Sequence, residues 1–358
     1  MRFKNLDRVL LILAAALCAM GLLLIYSATY SQPELRHLPW RQTLWICVGT
    51  GGLLFAAALD YQGVVAKGLT LYWVAVSLLG ILLATAKRSS YGAVRWFNFR
   101  FFYFQPADLA KLALILALAQ YLSARDTDIR RFNSLWTPLG MAALMMALIL
   151  RQPDLGTALV LLPITFGMLY VAGARLWHLS VLVLAMGGSI PLVWPLLKEY
   201  QRNRVLTFLD PSRDALGAGY NAIQSQIAAG SGGWTGQGFL KGTQSQLHFV
   251  PFHHTDFIFS VLAEEWGLLG CLLLLGLLLG LLARLAHIGA RARSLNGALL
   301  CTGLIGWQGA QAVINIGMNL GIMPVTGLPL PLVSYGGSST LATLTGLGLA
   351  LSVYKETQ

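Results

Sequence analysis

Charge is scarce in this chain. Asp, Glu, Lys and Arg together make up 11% of its 358 residues, while 56% are apolar and the mean hydropathy is +0.65. That balance excludes a soluble globular domain, because too little polar surface is present to clothe one of this size. It excludes an outer-membrane barrel as well, since the apolar stretches are continuous and do not alternate in strands of roughly ten residues. Cysteine is also scarce. Cys18, Cys47, Cys271 and Cys301 all fall inside apolar runs with no CxxC pairing, so they read as small hydrophobes and imply neither disulfides nor zinc. A GxxxxGK[ST] phosphate loop and an HExxH zinc helix are missing. His253 and His254 are adjacent beside Asp256 but lack ligand spacing, and no protein-held metal site is encoded.

What is present is a series of apolar runs of about 17–25 residues, the length that crosses a bilayer core of about 30 Å. In lipid every backbone polar group must be satisfied within the segment, so these runs are read as helices. The expected fold is an all-α integral membrane protein, one polytopic domain over residues 1–358. Its transmembrane helices, about ten of them, are expected near 9–28, 42–59, 64–85, 107–122, 135–151, 156–172, 176–196, 256–283, 297–320 and 333–354. The first run follows Arg2, Lys4 and Arg8 but is too long for a signal-peptide core and lacks a cleavage site, so it is an uncleaved anchor.

An even span number puts both termini on one side, and the basic N-terminus points to the cytoplasm. On that topology the outer segments carry as many Lys and Arg as the inner ones, spread over a much greater length. Cations facing outward suggest an anionic ligand; interface snorkelling is the competing reading. The one long outer loop, 197–255, is rich in aromatic residues such as Phe208, Tyr220, Trp234 and Phe239. It is expected to fold back over the helices as a packed cap.

Polar residues at membrane depth are costly and are the default functional candidates. Asp256 stands where a glycine-rich loop (Gly232 to Gly242) meets an apolar helix. Asp108 and Lys111 share a helical face three residues apart, just after the Gln105-Pro106 helix start. Either they form a structural ion pair, or Lys111 is a phosphate ligand oriented by Asp108. In Gln152-Pro153-Asp154-Leu155-Gly156-Thr157, Asp154 is expected to cap the next helix. Glu264 and Glu265 lie about 80° and 180° round from Asp256 at about 100° per residue, so at least one bonds neighbouring helices. The segment 327–339 reads as re-entrant backbone lining a cavity.

Several longer motifs resemble one family. Tyr200-Gln201-Arg202 with Arg204, Gly217-Ala218-Gly219-Tyr220, Gly242-Thr243-Gln244-Ser245, His254-Thr255-Asp256-Phe257 and Ser334-Tyr335-Gly336-Gly337-Ser338-Ser339 are similar to the SEDS group (shape, elongation, division and sporulation). Gly92-Ala93-Val94-Arg95-Trp96 and the Gln152-to-Thr157 motif extend the likeness along nearly the whole chain. Residues 238–245 and 327–331 are more similar to the elongation branch than to the division branch.

The resemblance implies a ten-span peptidoglycan glycosyltransferase acting at the outer face of the cytoplasmic membrane during cell elongation. Its substrate would be lipid II, an undecaprenyl-pyrophosphate-linked disaccharide-pentapeptide. A class B penicillin-binding protein would be the transpeptidase partner within the elongation machinery, with no nucleic-acid partner. The family's aspartate falls on Asp256, the expected general base. Arg95, Asp108, Lys111, Gln152, Asp154, Arg202, Arg204 and Ser334 are the expected substrate-binding residues. No cofactor is encoded, though a divalent cation, Mg or Mn, on the pyrophosphate is compatible with the chemistry. Two departures stand out: Phe252 occupies a position where the family usually has Glu, and Ala107-Asp108 replaces Ser-Glu. The rival reading is a flippase for lipid-linked precursors, which intramembrane charges and broken helices also suit. Against it, no internal repeat is visible and the polar residues gather at the outer boundary.

Overall fold

The computed structural model describes residues 6–85, 95–98, 103–124, 128–197, 199–214, 217–247, 249 and 251–357. Gly92 to Val94 of the Gly92-to-Trp96 motif lie outside them. The described chain is almost wholly helical, with one two-stranded hairpin, β1 (Phe97–Asn98) and β2 (Tyr103–Phe104), paired antiparallel. The longer helices are α1 (Arg8–Tyr30), α2 (Leu38–Ala58), α4 (Gly68–Thr85), α5 (Pro106–Leu122), α6 (Trp136–Arg151), α7 (Leu155–Val171), α8 (Leu176–Gly188), α13 (Ile258–Ala290), α14 (Leu295–Asn319) and α15 (Gly337–Thr357). Between them lie the short α3 (Tyr61–Val65) and α9 (Ile190–Val193), and α10 (Glu199–Leu209), α11 (Ala218–Ser231) and α12 (Thr243–Gln246).

Among the described residues, five helical stretches are long and apolar enough to cross a membrane: α1, α4, Phe132–Arg151, α13 and α14; α7 and α8 are apolar but shorter. This is a multi-pass membrane protein. At its centre runs α5, which is buried along nearly its whole length because it is apolar on every face, as a helix surrounded by others must be. It packs on α4, α7, α14 and α15, while α2 pairs with α15 and α13 lies between α1 and α14.

Several helix ends differ from the sequence expectation. The stretch expected at 64–85 is divided, because Asp60 caps α3 by accepting from the N–H groups of Gln62 (3.1 Å) and Gly63 (3.2 Å), and a new helix starts at Gly68. The stretch expected at 176–196 is regular only to Gly188; Pro191 and Pro195 then confine the chain to a short turn and a 3₁₀ segment. The region 197–255 is not an irregular loop but carries α10, α11 and α12, with α11 packed on α13.

The glycine-rich part of that region has a specific task. At about 1.5 Å per residue, α13 would measure 33 residues end to end, about 50 Å, far more than a bilayer core. It is broken at Gly267, where φ is 63° and ψ is −159°. The freed backbone groups pair with the loop: Leu268 N donates to Gly233 O (2.9 Å), Gln237 N to Glu264 O (2.9 Å) and Gly238 N to Glu265 O (3.0 Å). Backbone meets backbone so closely that a Cβ on Gly267 would overlap Trp234 to Gly236, and one on Gly236 would overlap Glu265 and Trp266. These glycines permit the loop to enter the helix break.

Candidate active site

Asp256 lies in the turn just before α13, half-buried. The turn is held from two sides. On α14, Asn315 and Asn319 each donate a side-chain N–H to the Asp256 carbonyl, at 2.9 and 3.0 Å. From the segment before α15, Ser334 donates to Thr255 O (2.6 Å) and Tyr335 N to His254 O (3.0 Å). The same α14 face supports the facing wall: Asn315 donates to Leu328 O (2.7 Å) and Gln311 to Pro329 O (2.8 Å). Gln308, Gln311, Asn315 and Asn319 are all buried on one side of α14. Their spacing of three and four residues puts them on one face, so four amides at membrane depth were a legible signal that the motif reading passed over.

The carboxyl of Asp256 faces Gly327. A Cβ placed there would lie 3.4 Å from Asp256 Oδ2 and 3.9 Å from Arg95 Nη1, so a side chain at 327 would intrude between acid and guanidinium. Gly327 has φ of 77°, a region open to glycine and strained for other residues. Withdrawal from water raises the Asp256 carboxyl, Arg95 and then Arg204 pull it back, and Asp154 adds to the rise, which leaves it at about 6. The acid is therefore ionised at neutral pH but close enough to titration to exchange a proton.

Both arginines are positioned by backbone carbonyls. Arg95 Nε donates to Gln152 O (3.4 Å) and its Nη2 to Pro153 O, while Arg204 Nη1 donates to Thr326 O (3.4 Å). Asp154 caps α7, accepting from Thr157 N (3.1 Å) and Thr157 Oγ1 (2.8 Å), as expected; Gln105 also donates to it (3.2 Å). The structure thus gathers Asp256, Arg95, Arg204 and Asp154 into one electrostatic cluster. It offers a basic carboxylate flanked by two cations, an arrangement able to accept a proton and to hold an anion.

Other expected residues stand elsewhere. Lys111 is 1% exposed, and its ammonium is taken by Asp108 (2.8 Å), by Gln311 Oε1 (3.1 Å) and by the face of Trp307 (4.9 Å to the ring centre). The geometry fits the ion-pair reading, and through Gln311 it underpins the wall at Pro329. Arg202 donates to Trp194 O (3.1 Å) and Pro195 O, outside the cluster. The Gln152 side chain turns to Leu79 O (3.2 Å), and the Ser334 hydroxyl also accepts from Leu330 N (2.8 Å). Phe252 has an exposed side chain, while its carbonyl closes the turn by accepting from Thr255 N (3.1 Å) and Phe257 N (3.3 Å).

Glu264 and Glu265 both bond neighbours. Glu264 accepts from Gln244 N (2.6 Å) and Ser245 N (3.0 Å), and Glu265 from the Ser27 hydroxyl. His253 Nε2 meets Ala28 O at 2.6 Å. Burial and the neighbouring His253 hold His254 down at about 4, so it carries no charge at neutral pH. Among the described residues no group of three or more His, Cys, Asp or Glu is arranged to hold a metal.

The chain has full-length relatives among known proteins. Residues 7–358 match the FtsW, RodA and SpoVE family of cell cycle proteins. The chain is 38% identical over 351 residues to the peptidoglycan glycosyltransferase MrdB of Escherichia coli, covering 98% of this chain and 94% of the relative. It is 37% identical to a probable peptidoglycan glycosyltransferase FtsW of Tolumonas auensis, covering 97% and 91%. Among solved structures, one described as showing coordination of polymerization and crosslinking by a peptidoglycan synthase complex matches with a TM-score of 0.86 at 38% identity, over 99% of both chains. The Thermus thermophilus rod shape determining protein RodA matches with a TM-score of 0.74 at 34% identity, again over 99% of both. With a family match over nearly every residue and a full-length likeness in fold, the chain belongs to the FtsW, RodA and SpoVE family.

Proposed function

We propose that this protein is a peptidoglycan glycosyltransferase that polymerises lipid II at the outer face of the cytoplasmic membrane during cell elongation. The observation that carries the reading is the half-buried Asp256 carboxyl, raised toward neutral pH and facing Arg95 across Gly327. The relatives named as peptidoglycan glycosyltransferases supply the reaction class.

The chemistry follows from those groups. An acceptor sugar hydroxyl attacks the anomeric carbon of a donor sugar, the new glycosidic bond forms as the bond to pyrophosphate breaks, and the configuration inverts. Asp256 takes the hydroxyl proton, a contribution of about 10²–10⁴-fold for a base within reach. Arg95 and Arg204 take up the charge that gathers on the departing pyrophosphate, in surroundings drier than bulk water. Lys111 and Asp108 act from behind by bracing α14 and the 327–330 wall. No step is routed through a protein-held metal; Mg or Mn would enter as part of the pyrophosphate substrate.

Both termini are placed in the cytoplasm in this reading, with Asp256 on the opposite side. A class B penicillin-binding protein from the elongation machinery would supply the transpeptidase. Purified protein, with that partner's transpeptidase blocked, should build glycan strands from lipid II, and Asp256→Asn should not. Strands of equal yield from both would remove Asp256 from the role of base. Flipping of lipid II in liposomes without strand formation would favour the flippase reading instead.

A further inference from the structure

Next to the Asp256 turn lies a concavity of about 390 Å³ whose aromatic walls have no part in the proton transfer or the charge stabilisation. Its walls come from separate parts of the chain: Arg41 and Trp45 on α2, Trp96 and Tyr103 at the hairpin, and Tyr335 ahead of α15. Thr255, adjacent to Asp256, closes the side nearest the acid. Volume and composition fall within the range of small-molecule sites, mostly apolar walls with a few fixed polar groups.

Three features set this cavity apart from an ordinary belt of aromatic residues at a membrane surface. Trp45, Trp96, Tyr103 and Tyr335 border one shared space. The cavity is built, since the Trp45 indole presses on Gly337 so closely that a Cβ there would overlap it, and Gly336 N donates to the buried Gln42 (3.2 Å). Arg41 stands against the Tyr335 phenol, where its charge and hydrogen bond offset the upward push of burial. Meanwhile Trp96 and Tyr103 keep 44% and 60% of their surface exposed, so their rings are available to a ligand.

A sugar ring suits such a wall. Its C–H-rich face covers an aromatic ring while its hydroxyls reach donors at the rim. A prenyl chain alone has no use for Arg41, and a phosphate alone has no use for four rings. We propose that this aromatic cavity binds the saccharide of one of the two lipid-linked substrates, with Trp96 and Tyr103 setting its affinity. The proposal rests on the glycosyltransferase reading, and it separates binding of the sugar, at the aromatic wall, from turnover, at Asp256.

The test uses the full chain in nanodiscs and two probes: lipid II with a short prenyl tail and a dansyl group on its peptide, and undecaprenyl pyrophosphate, which has no sugar. Trp96→Ala and Tyr103→Ala should each weaken dansyl-lipid II binding about tenfold and raise KM with kcat nearly kept. Trp96→Tyr, which retains a ring, should recover most of the affinity. Binding of undecaprenyl pyrophosphate should be unchanged in all of them, and Asp256→Asn should still bind dansyl-lipid II. Unchanged lipid II binding in both alanine variants would overturn the proposal, as would equal weakening for the sugar-free lipid. Failure of the glycosyltransferase reading would show differently, as absence of strands from the parent itself, and the contrast between the two probes would still decide what the cavity holds.

Discussion

Asp256 and Asp108 are both carboxylates at the entrance to a long apolar helix, and both have cations near them. Asp108 and Lys111 are sealed: each is nearly without exposure, and Gln311 and Trp307 complete the ammonium's surroundings. Around Asp256 the protein instead secures the backbone, through Asn315 and Asn319, and leaves the half-buried residue beside glycine, with a hydrogen bond from the Thr255 side chain but no ion-pair partner as close as that of Asp108. A charge at membrane depth is costly in both places. On the proposed reading, what distinguishes the pair that braces from the acid that reacts is whether protein groups complete its coordination.

The sharpest way to break that contrast is to remove each charge in turn. Asp256→Asn should lower lipid II polymerisation by about 10²–10⁴-fold with its thermal midpoint in detergent close to the parent's. Lys111→Met should do the reverse. It strands a buried carboxylate at a cost of about 3–5 kcal/mol, so the thermal midpoint should fall steeply, and adding Asp108→Leu should restore much of it. A Lys111→Met protein as stable as the parent but inactive would move Lys111 back to the substrate.

Arg95→Gln should lower kcat by about 10²–10³-fold, the range for losing one preorganised donor to developing charge. Because Arg95 pulls the Asp256 carboxyl down, its loss should also move the acid limb of the rate profile to higher pH. The smallest effect is expected at Gly327. Gly327→Ala forces a Cβ into the left-handed region at about 1–2 kcal/mol, read as a modest drop in thermal midpoint and in rate.

The sequence made some of this legible and hid the rest for physical reasons. Asp256 was visible because a lone acid at a loop–helix junction is costly, and Asp154 because Pro-Asp before an apolar run is cap chemistry. The Asp108–Lys111 pair followed from three-residue spacing, but whether it faced a cavity or Gln311 depended on α14, far away in sequence. The glycines of 232–242 could be read as turns or as close backbone approach to a ligand, but not as the filling of a helix break, since that break is made by Gly267 in another element. The amides of α14 were in plain view at helical spacing, yet their partners are backbone carbonyls in segments that only the fold brings near. Likewise, α10 and α11 lie in a polar region where no apolar run marks a helix.

The central claim, that the Asp256 carboxylate accepts the proton, is tested most directly by the pH dependence of kcat for strand synthesis with the transpeptidase silenced. A base must be ionised to act, and this one titrates near 6. The rate should therefore rise with pH through a single ionisation at about 6 and level off above it. A rate that is flat across that range, or that falls as pH rises through it, would contradict the account.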